Sequence, residues 1–569
     1  MLQKKIVGIV FVSIILLATQ LYAATIYVDQ SLSSNITNGT YNKNSRATGG
    51  SDGNAYRTLK AVLWGTNGTD GAASAGDTIL LRGGTYKEAW GDSSGGSAMQ
   101  ISQRLSGTSW NSYTTIASYP GEWAIIDGST SGYAIGLGNG NVGEWGGGLG
   151  HLEYIKFERL GITGGSKGGL GIVMGPVWVR YCYIYENGKG ASGDSNRGGV
   201  VLRRGMNNII EYNYFYNNAG TADHNKAHII NYSDYLYSSF DINHCNKGNI
   251  IRYNFFGEGA NCGYKDKASQ FLAVHPYPSN ANGTIATTNY LLGNRIHHNI
   301  GKVSSLLIYC QQDFAQVFNN IADGCSITAM DGSDEAVAYW KDVYNNTVIK
   351  GFIAETVGYN RTNKELNLDM SWFCANNIIT EYGAPGYNPS IGIATCWGHK
   401  TAAADDCSLT YTWTNTTVDR NLIYKPAHAT WHIGQPASME CTNHPWLTVA
   451  GFNSAFGFTN YYSATDGLFL GTTGADKYKI NAAFSIGSGK YAGNGGEGGN
   501  HRYLSGVTIP SYLGAVDPNN SGWVDMVLGL ANIQNLIAGG GSTPPPPPPV
   551  QQDTTPPASP GGVNVNIIQ

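Results

Sequence analysis

From about residue 150 onward one short phrase keeps returning in this chain: an aromatic or small residue, then Asn, any residue, and an apolar one. It reads Tyr212-Asn213-Tyr214-Phe215, Tyr253-Asn254-Phe255-Phe256, Gly293-Asn294-Arg295-Ile296 and Phe318-Asn319-Asn320-Ile321. Shortened forms follow at Asn346-Thr347-Val348, Asn377-Ile378-Ile379 and Asn421-Leu422-Ile423. Two earlier phrases fit with the Asn replaced, Phe157-Glu158-Arg159-Leu160 and Tyr181-Cys182-Tyr183-Ile184. Slots taken at 158, 182, 213, 254, 294, 319, 346, 377 and 421 lie between 24 and 44 residues apart. The floor is the length of one solenoid turn, and the excess is inserted loop. Short Val, Ile and Tyr runs without a helical stripe make each turn a coil of β-strands. A coil buries its apolar face only against the next one, stacked at about 4.8 Å. An Asn at a tight corner suits that stack, because its amide donates to the coil on one side and accepts from the other. These asparagines are read as structural, not as site residues.

Composition agrees and excludes other classes. Charged residues are 13% of the 569, while Gly numbers 77 and Tyr 36, which suits strands and turns. A hydrophobic content of 41% is enough for a packed core and rules out a disordered chain. With 35 basic against 39 acidic side chains the chain as a whole is a poor polyanion partner, so nucleic-acid binding is not expected.

Residues 1–23 carry Lys4 and Lys5, an apolar run from Ile6 to Leu17 and small residues at Ala23 and Ala24. That is the pattern of a secretory signal peptide, too short for a membrane span, and no later stretch is apolar enough for one. The mature protein is therefore expected to be secreted, soluble and extracellular. All nine cysteines follow the signal, and an oxidising compartment favours pairing. Cys310 with Cys325 and Cys396 with Cys407 are the plausible loop staples. After Gly539 come GGGS and six prolines, Pro544–Pro549, a stiff spacer of about 3.1 Å per residue, and then a short end. This tail is either disordered or a device for cell-surface attachment.

The N-terminal part carries Thr25-Ile-Tyr-Val-Asp29, SDGNAYRTLKAVLWG (51–65), GDTILLRGGTYKE (76–88) and YTTIASYPGEWAIIDGS (113–129). These stretches resemble the opening of right-handed parallel β-helix proteins of the pectate-lyase-like superfamily. The far end, DKYKINAAFSIGSGKYAGNG (476–495) and YLGAVDP (512–518), resembles that family's final strand and closing turn. The resemblance spans about 25–540 and implies an all-β fold: a single-stranded right-handed parallel β-helix, or solenoid, with an N-terminal capping helix and a C-terminal cap. Residues 523–537 are expected as a short helix over the last coil. The organisation read from the sequence is 1–23 signal peptide, 24–150 N-terminal cap and first coils, and 151–430 central coils with groove-forming insertions. Last coils and C-terminal cap follow at 431–540, and a Pro-rich tail at 541–569.

In a solenoid, insertions leave the coils on one side and wall a groove. The two large consecutive excesses, about 218–248 and 257–290, are rich in ionisable and aromatic residues. Counted from the Asn slots, Asp223, Lys265, Asp266 and Asp331 fall at +10 to +12, near one column if the coils keep register. Acid-plus-lysine columns suit β-elimination on uronic-acid polysaccharides. That reaction needs the sugar carboxylate neutralised, commonly by Ca²⁺ on Asp or Glu oxygens, and a base, often Lys or Arg in related enzymes. Asp223, Asp266 and Asp331 are the candidate metal ligands, with Lys265, Lys267 and Arg295 as candidate catalytic cations. His228, Tyr232, Tyr264 and His297 are candidate substrate contacts, since such rings stack on or hydrogen-bond to sugars.

Nothing calls for an organic cofactor, and GYKDKAS (263–269) also reads as a plain polar turn. The polygalacturonase signatures (NTD, DD, GHG, RIK) and the pectate-lyase WIDH and RxPxxR patterns are absent. The first functional reading is a secreted polysaccharide lyase acting on uronate-containing glycan. A non-catalytic glycan-binding surface or matrix protein, a glycoside hydrolase and a filament or adhesin subunit remain alternatives.

Overall fold

Runs such as Val177–Arg180 alternate buried and half-buried positions, the signature of a strand with one face inward. The computed structural model describes residues 23–65, 70–88, 90, 96–137, 152–173, 175–189, 197–203, 205–218, 226–232, 248–259, 262–267, 294–303, 306–310, 315–330, 341–356, 372–380, 391–394, 417–424, 430–433, 447–463, 466–484, 493–494, 508–509, 512–532 and 535–536. In it such strands build three long sheets, here called I, II and III, of 13, 12 and 12 strands. A coil visits each sheet once: Val177–Arg180 in sheet I, Tyr183–Tyr185 in II and Arg197–Arg203 in III, before Ile209–Glu211 returns to I. Strands pair in parallel with those one coil away, as Val179 does with Ile210 and Ile210 with Ile251, except for the antiparallel last strand of sheet III, Leu447–Thr448. The chain is a parallel β-helix.

The register stacks like on like. In sheet I the buried column runs Val179, Ile210, Ile251, Ile296, Val317 and Val343. In sheet II the large Phe215 and Phe256 are followed by Gly301, and a Cβ there would meet Leu307 Cδ1 at 2.1 Å. Leu307 thus fills the space that Gly301 leaves, which keeps the interior at packed density. At the N-terminal end the helix Leu59–Leu63, capped by Thr58, buries Leu59, Val62 and Leu63 against the first strands of sheets I and III.

Asparagine ladders occupy the corners. Between sheets I and II, each Asn amide donates to the next Asn Oδ1, through Asn213, Asn254, Asn299, Asn320, Asn346, Asn377, Asn421 and Asn460. Three slots therefore differ from the sequence reading; the first is at Leu160 and not Glu158, since Gly161 pairs with Tyr183 and Tyr183 with Tyr214. Asn320 takes the place expected of Asn319, which becomes the left-handed corner residue before it (φ 52°). Asn294 also stacks, but at the corner between sheets III and I, with Asn208 and Asn249. The residue before each ladder Asn from Asn213 to Asn421 is left-handed, including Tyr212, Tyr253 and His298 at φ 53–56°. That conformation costs about 1–2 kcal/mol per non-Gly residue, which the ladder's hydrogen bonds offset.

Two further expectations change. The helix Gly522–Gly529 forms, but it lies on the outer face of sheet II near strand Ile300–Gly301, in the middle of the solenoid. Its Trp523 packs on His298 and Tyr253, with ring centroids 5.0 and 6.4 Å away. The outward positions of sheet II here are apolar (Phe255, Ile300, Ile321), so this face needs a cover that a polar coil surface would not. Cys310 and Cys325 are both buried and do not bond to each other. Register explains why: Cys325 precedes Ser326, which pairs with Leu306, four residues from Cys310. The two sit at opposite ends of neighbouring strands, about 13 Å apart by strand rise, beyond disulfide reach. Cys396 and Cys407 lie outside the described residues, as do residues 1–22 and the Pro-rich tail.

Candidate functional site

The strand Cys262–Lys267 belongs to sheet III, where Lys265 pairs with Ile230 and Tyr309, Asp266 with Asn231, and Lys267 with Tyr232. Alternate residues of a strand share a face. Lys265 and Lys267 therefore hold positions on one face with Ile230 and Tyr232, while Tyr264 and Asp266 hold positions on the other. Tyr264 is fully buried in the main core, and its hydroxyl accepts from Asn231 Nδ2 at 3.3 Å. A sugar cannot reach it there, so Tyr264 is corrected from substrate contact to core residue.

His228 is corrected in the same way. It is fully buried on strand Lys226–Tyr232, where Nδ1 accepts from Asn218 Nδ2 at 3.1 Å and Nε2 donates to the Gly257 carbonyl at 3.0 Å. It thus extends a third corner ladder, Asn187 to Asn218, between sheets II and III. Burial pulls its pKa down to about 4, and a second ring proton would face the Asn218 amide donor.

Arg295 and His297 lie on sheet I, on strand Arg295–His297, so the fold does not bring them to the lysine face of sheet III. His297 is fully buried, stacked on Phe318 at 4.6 Å, with Nδ1 2.8 Å from His298 Nδ1. It too is corrected to a packing residue, whereas Arg295 stays partly exposed. Asp223 and Asp331 lie outside the described residues. Among the described residues no three His, Cys, Asp or Glu side chains gather as a metal site.

A second ionisable cluster escaped the sequence reading. On the outer face of sheet I, Glu158, Arg180, Glu211 and Arg252 stand in register on successive coils. Glu158 accepts from Lys156 Nζ at 2.9 Å, from Arg180 Nη2 at 3.3 Å and from Arg159. Burial alone would raise its pKa, but Arg180, Lys156 and Arg159 together hold it below the ordinary carboxylate value. Glu211 accepts from Arg252 Nε at 2.7 Å and Trp178 Nε1 at 2.9 Å. Arg180 in turn lies over the Trp178 ring at 4.6 Å. The signal was present: the residue two places before each corner position reads Glu, Arg, Glu, Arg once the phrases are aligned. Without the register, the pattern gave no reason to place those residues side by side.

No family model and no curated protein matches the sequence. Among solved structures the chain is similar to a PL6 family alginate lyase, AlyGC, at 12% identity and a TM-score of 0.31, over 63% of this chain and 50% of that one. An arginine-to-alanine mutant of AlyGC gives 12% and 0.29, over 65% and 52%. This chain therefore matches about half the length of those proteins. What its own strands, registers and corner ladders establish is a parallel β-helix with one lysine-bearing sheet face and one alternating acid–base face.

Proposed function

We propose that this is a secreted, carbohydrate-active β-helix protein that cleaves uronate-containing polysaccharide by β-elimination. The observation that carries the reading is the pair of positions Lys265 and Lys267 on one face of sheet III, beside Tyr232 and Tyr309 on adjoining coils. Two of the three longest ladder intervals, Asn213 to Asn254 and Asn254 to Asn299, at 41 and 45 residues, bracket the same strands. A lysine there would take the proton from sugar C5, and aromatic neighbours would seat the ring. Asp223 and Asp331 are the proposed Ca²⁺ ligands, and the ion would supply neutralisation of the uronate carboxylate; Asp266 is corrected out of that set, because its strand position shares the inward face with Tyr264 and Asn231, away from the two lysines. Secretion through residues 1–23 and surface attachment through 541–569 belong to the same proposal.

A second reading, glycan binding without cleavage, draws support from Glu158 and Glu211. Both are engaged in ion pairs, and Glu158 is held ionised, which suits neither of them to donate a proton to a glycosidic oxygen. The test is incubation of the mature protein with a panel of uronate polymers, with and without Ca²⁺. New unsaturated ends, absorbing in the ultraviolet, that vanish in Lys265→Met or Lys267→Met support the lyase. Reducing ends without unsaturation indicate a hydrolase, and binding without any new ends selects the second reading.

A further inference from the structure

One patch on the outer face of sheet I holds more cations than carboxylates. Around Glu158 and Glu211 stand Lys156, Arg159, Arg180 and Arg252, four cations against two carboxylates, although the whole chain is at −4. Two of the donors are left over. Arg159 Nε and Arg180 Nε are enclosed and find no hydrogen-bond partner among the described residues. The Arg180 side chain is still 26% exposed, so a ligand can reach it.

Aromatic rings border the same spot. Trp178 and Tyr113 are half-buried, and their centroids are 6.1 Å apart, edge to face. Trp110, carried out from the strands by the turn Ser109–Ser112, meets Trp178 the same way at 6.1 Å. Lys156 Nζ sits 4.7 Å from the Tyr113 ring centre. Arg180 gives one Nη to Glu158, and the exposed edge of its guanidinium is a donor fork matched by a planar, acceptor-only group such as a carboxylate. Rings beside it offer a flat apolar surface for the C–H face of a sugar. We infer that the Trp178–Arg180–Lys156 patch binds carboxylated sugar residues, a polyuronate subsite on a different sheet from Lys265 and Lys267. It takes its substrate class from the reading above but requires no chemistry of its own. Arg180 and Lys156 keep Glu158 as their fixed counter-ion, and the sugar carboxylate takes the surplus.

Oxidative footprinting of the full mature chain tests this without any substitution. A hexauronate is expected to protect Trp178 and Tyr113 from oxidation, a neutral hexasaccharide is not, and raised salt should erase the effect. The double substitution Lys156→Met with Arg180→Met is expected to weaken hexauronate binding about tenfold or more. Lys43→Met, remote from the patch, should leave it unchanged. Where the double variant does not fold, the footprint on the unaltered chain decides. Protection confined to other segments, or equal protection by the neutral sugar or by a DNA oligonucleotide, overturns the inference. Release of unsaturated ends is scored separately. Protection of Trp178 without cleavage keeps this subsite and removes the lyase, while cleavage without protection does the reverse.

Discussion

Replacing Asn254 by Ala should unseat one rung of the longest ladder. The Asn254 side chain, fully buried, takes part in four hydrogen bonds. Its Nδ2 donates to the Ile210 carbonyl at 2.8 Å and to Asn299 Oδ1 at 3.0 Å. Its Oδ1 accepts from Asn213 N at 3.1 Å and from Asn213 Nδ2 at 3.0 Å. Asn213 Nδ2 keeps a second acceptor, the Val179 carbonyl at 3.0 Å, so the backbone N–H of Asn213 suffers most. Taking about 2 kcal/mol for that orphaned donor and about 1 kcal/mol or less for each of the others, the loss is about 4 kcal/mol. Asp is no rescue, because its second oxygen would face the Ile210 carbonyl and Asn299 Oδ1 in a site closed to water. Solenoids need not unfold in one step, so urea midpoints should be read together with amide exchange at Asn213, which is expected to accelerate most. The exposed Asn111→Ala serves as control and should stay within about 0.5 kcal/mol. If Asn254→Ala costs under about 1 kcal/mol, or if Asn213 exchange is unchanged, the ladder does not hold the corner together as argued.

His228 supplies a pH test. Its folded pKa of about 4 lies below the ordinary 6.5, so the unfolded chain binds more protons between those values. Stability is then lost as pH falls from about 6.5 towards 4, by about 3 kcal/mol, and urea midpoints for His228→Gln should show a flatter acid limb. Trp523→Ala should loosen the C-terminal segment from sheet II by about 3–5 kcal/mol and raise binding of a hydrophobic dye, as Phe255, Ile300 and Ile321 become exposed. Thiol labelling at mildly alkaline pH, mapped by mass spectrometry, should leave Cys182 and Cys325 unmodified until urea unfolds the chain. Burial pushes both thiols up to about 12.

Much of the architecture was legible because its physics is local and repeated. An Asn at a corner, an apolar residue two places on and a left-handed position before it recur in each coil, and each recurrence reinforces the rest. The opening helix and the strands Thr78–Leu81 and Gly84–Tyr86 follow the family resemblance of the N-terminal stretches. The misplaced slots show the limit. Phe318-Asn319-Asn320 offers adjacent asparagines, and only hydrogen-bond register decides that Asn320 enters the ladder. The candidate site was harder still. His228, Tyr264 and His297 are polar or amphipathic residues of kinds that serve function, yet all three face packed surroundings. Composition cannot reveal which face of a strand a residue takes when one shift in register inverts it.

By itself, then, the chain's own order of residues determined that coils of β-strand must form and stack, since each short strand run is too apolar on one face to stand alone. It also determined that asparagines would mark the corners, although not which Asn serves which corner. Tertiary structure alone decided which distant residues became neighbours: Glu158 beside Arg180, Glu211 beside Arg252, Lys267 beside Tyr232, Trp523 over His298. The reason is that coil length varies with every insertion, so neighbours in space are set by the hydrogen-bonded register between coils and not by any fixed interval along the chain.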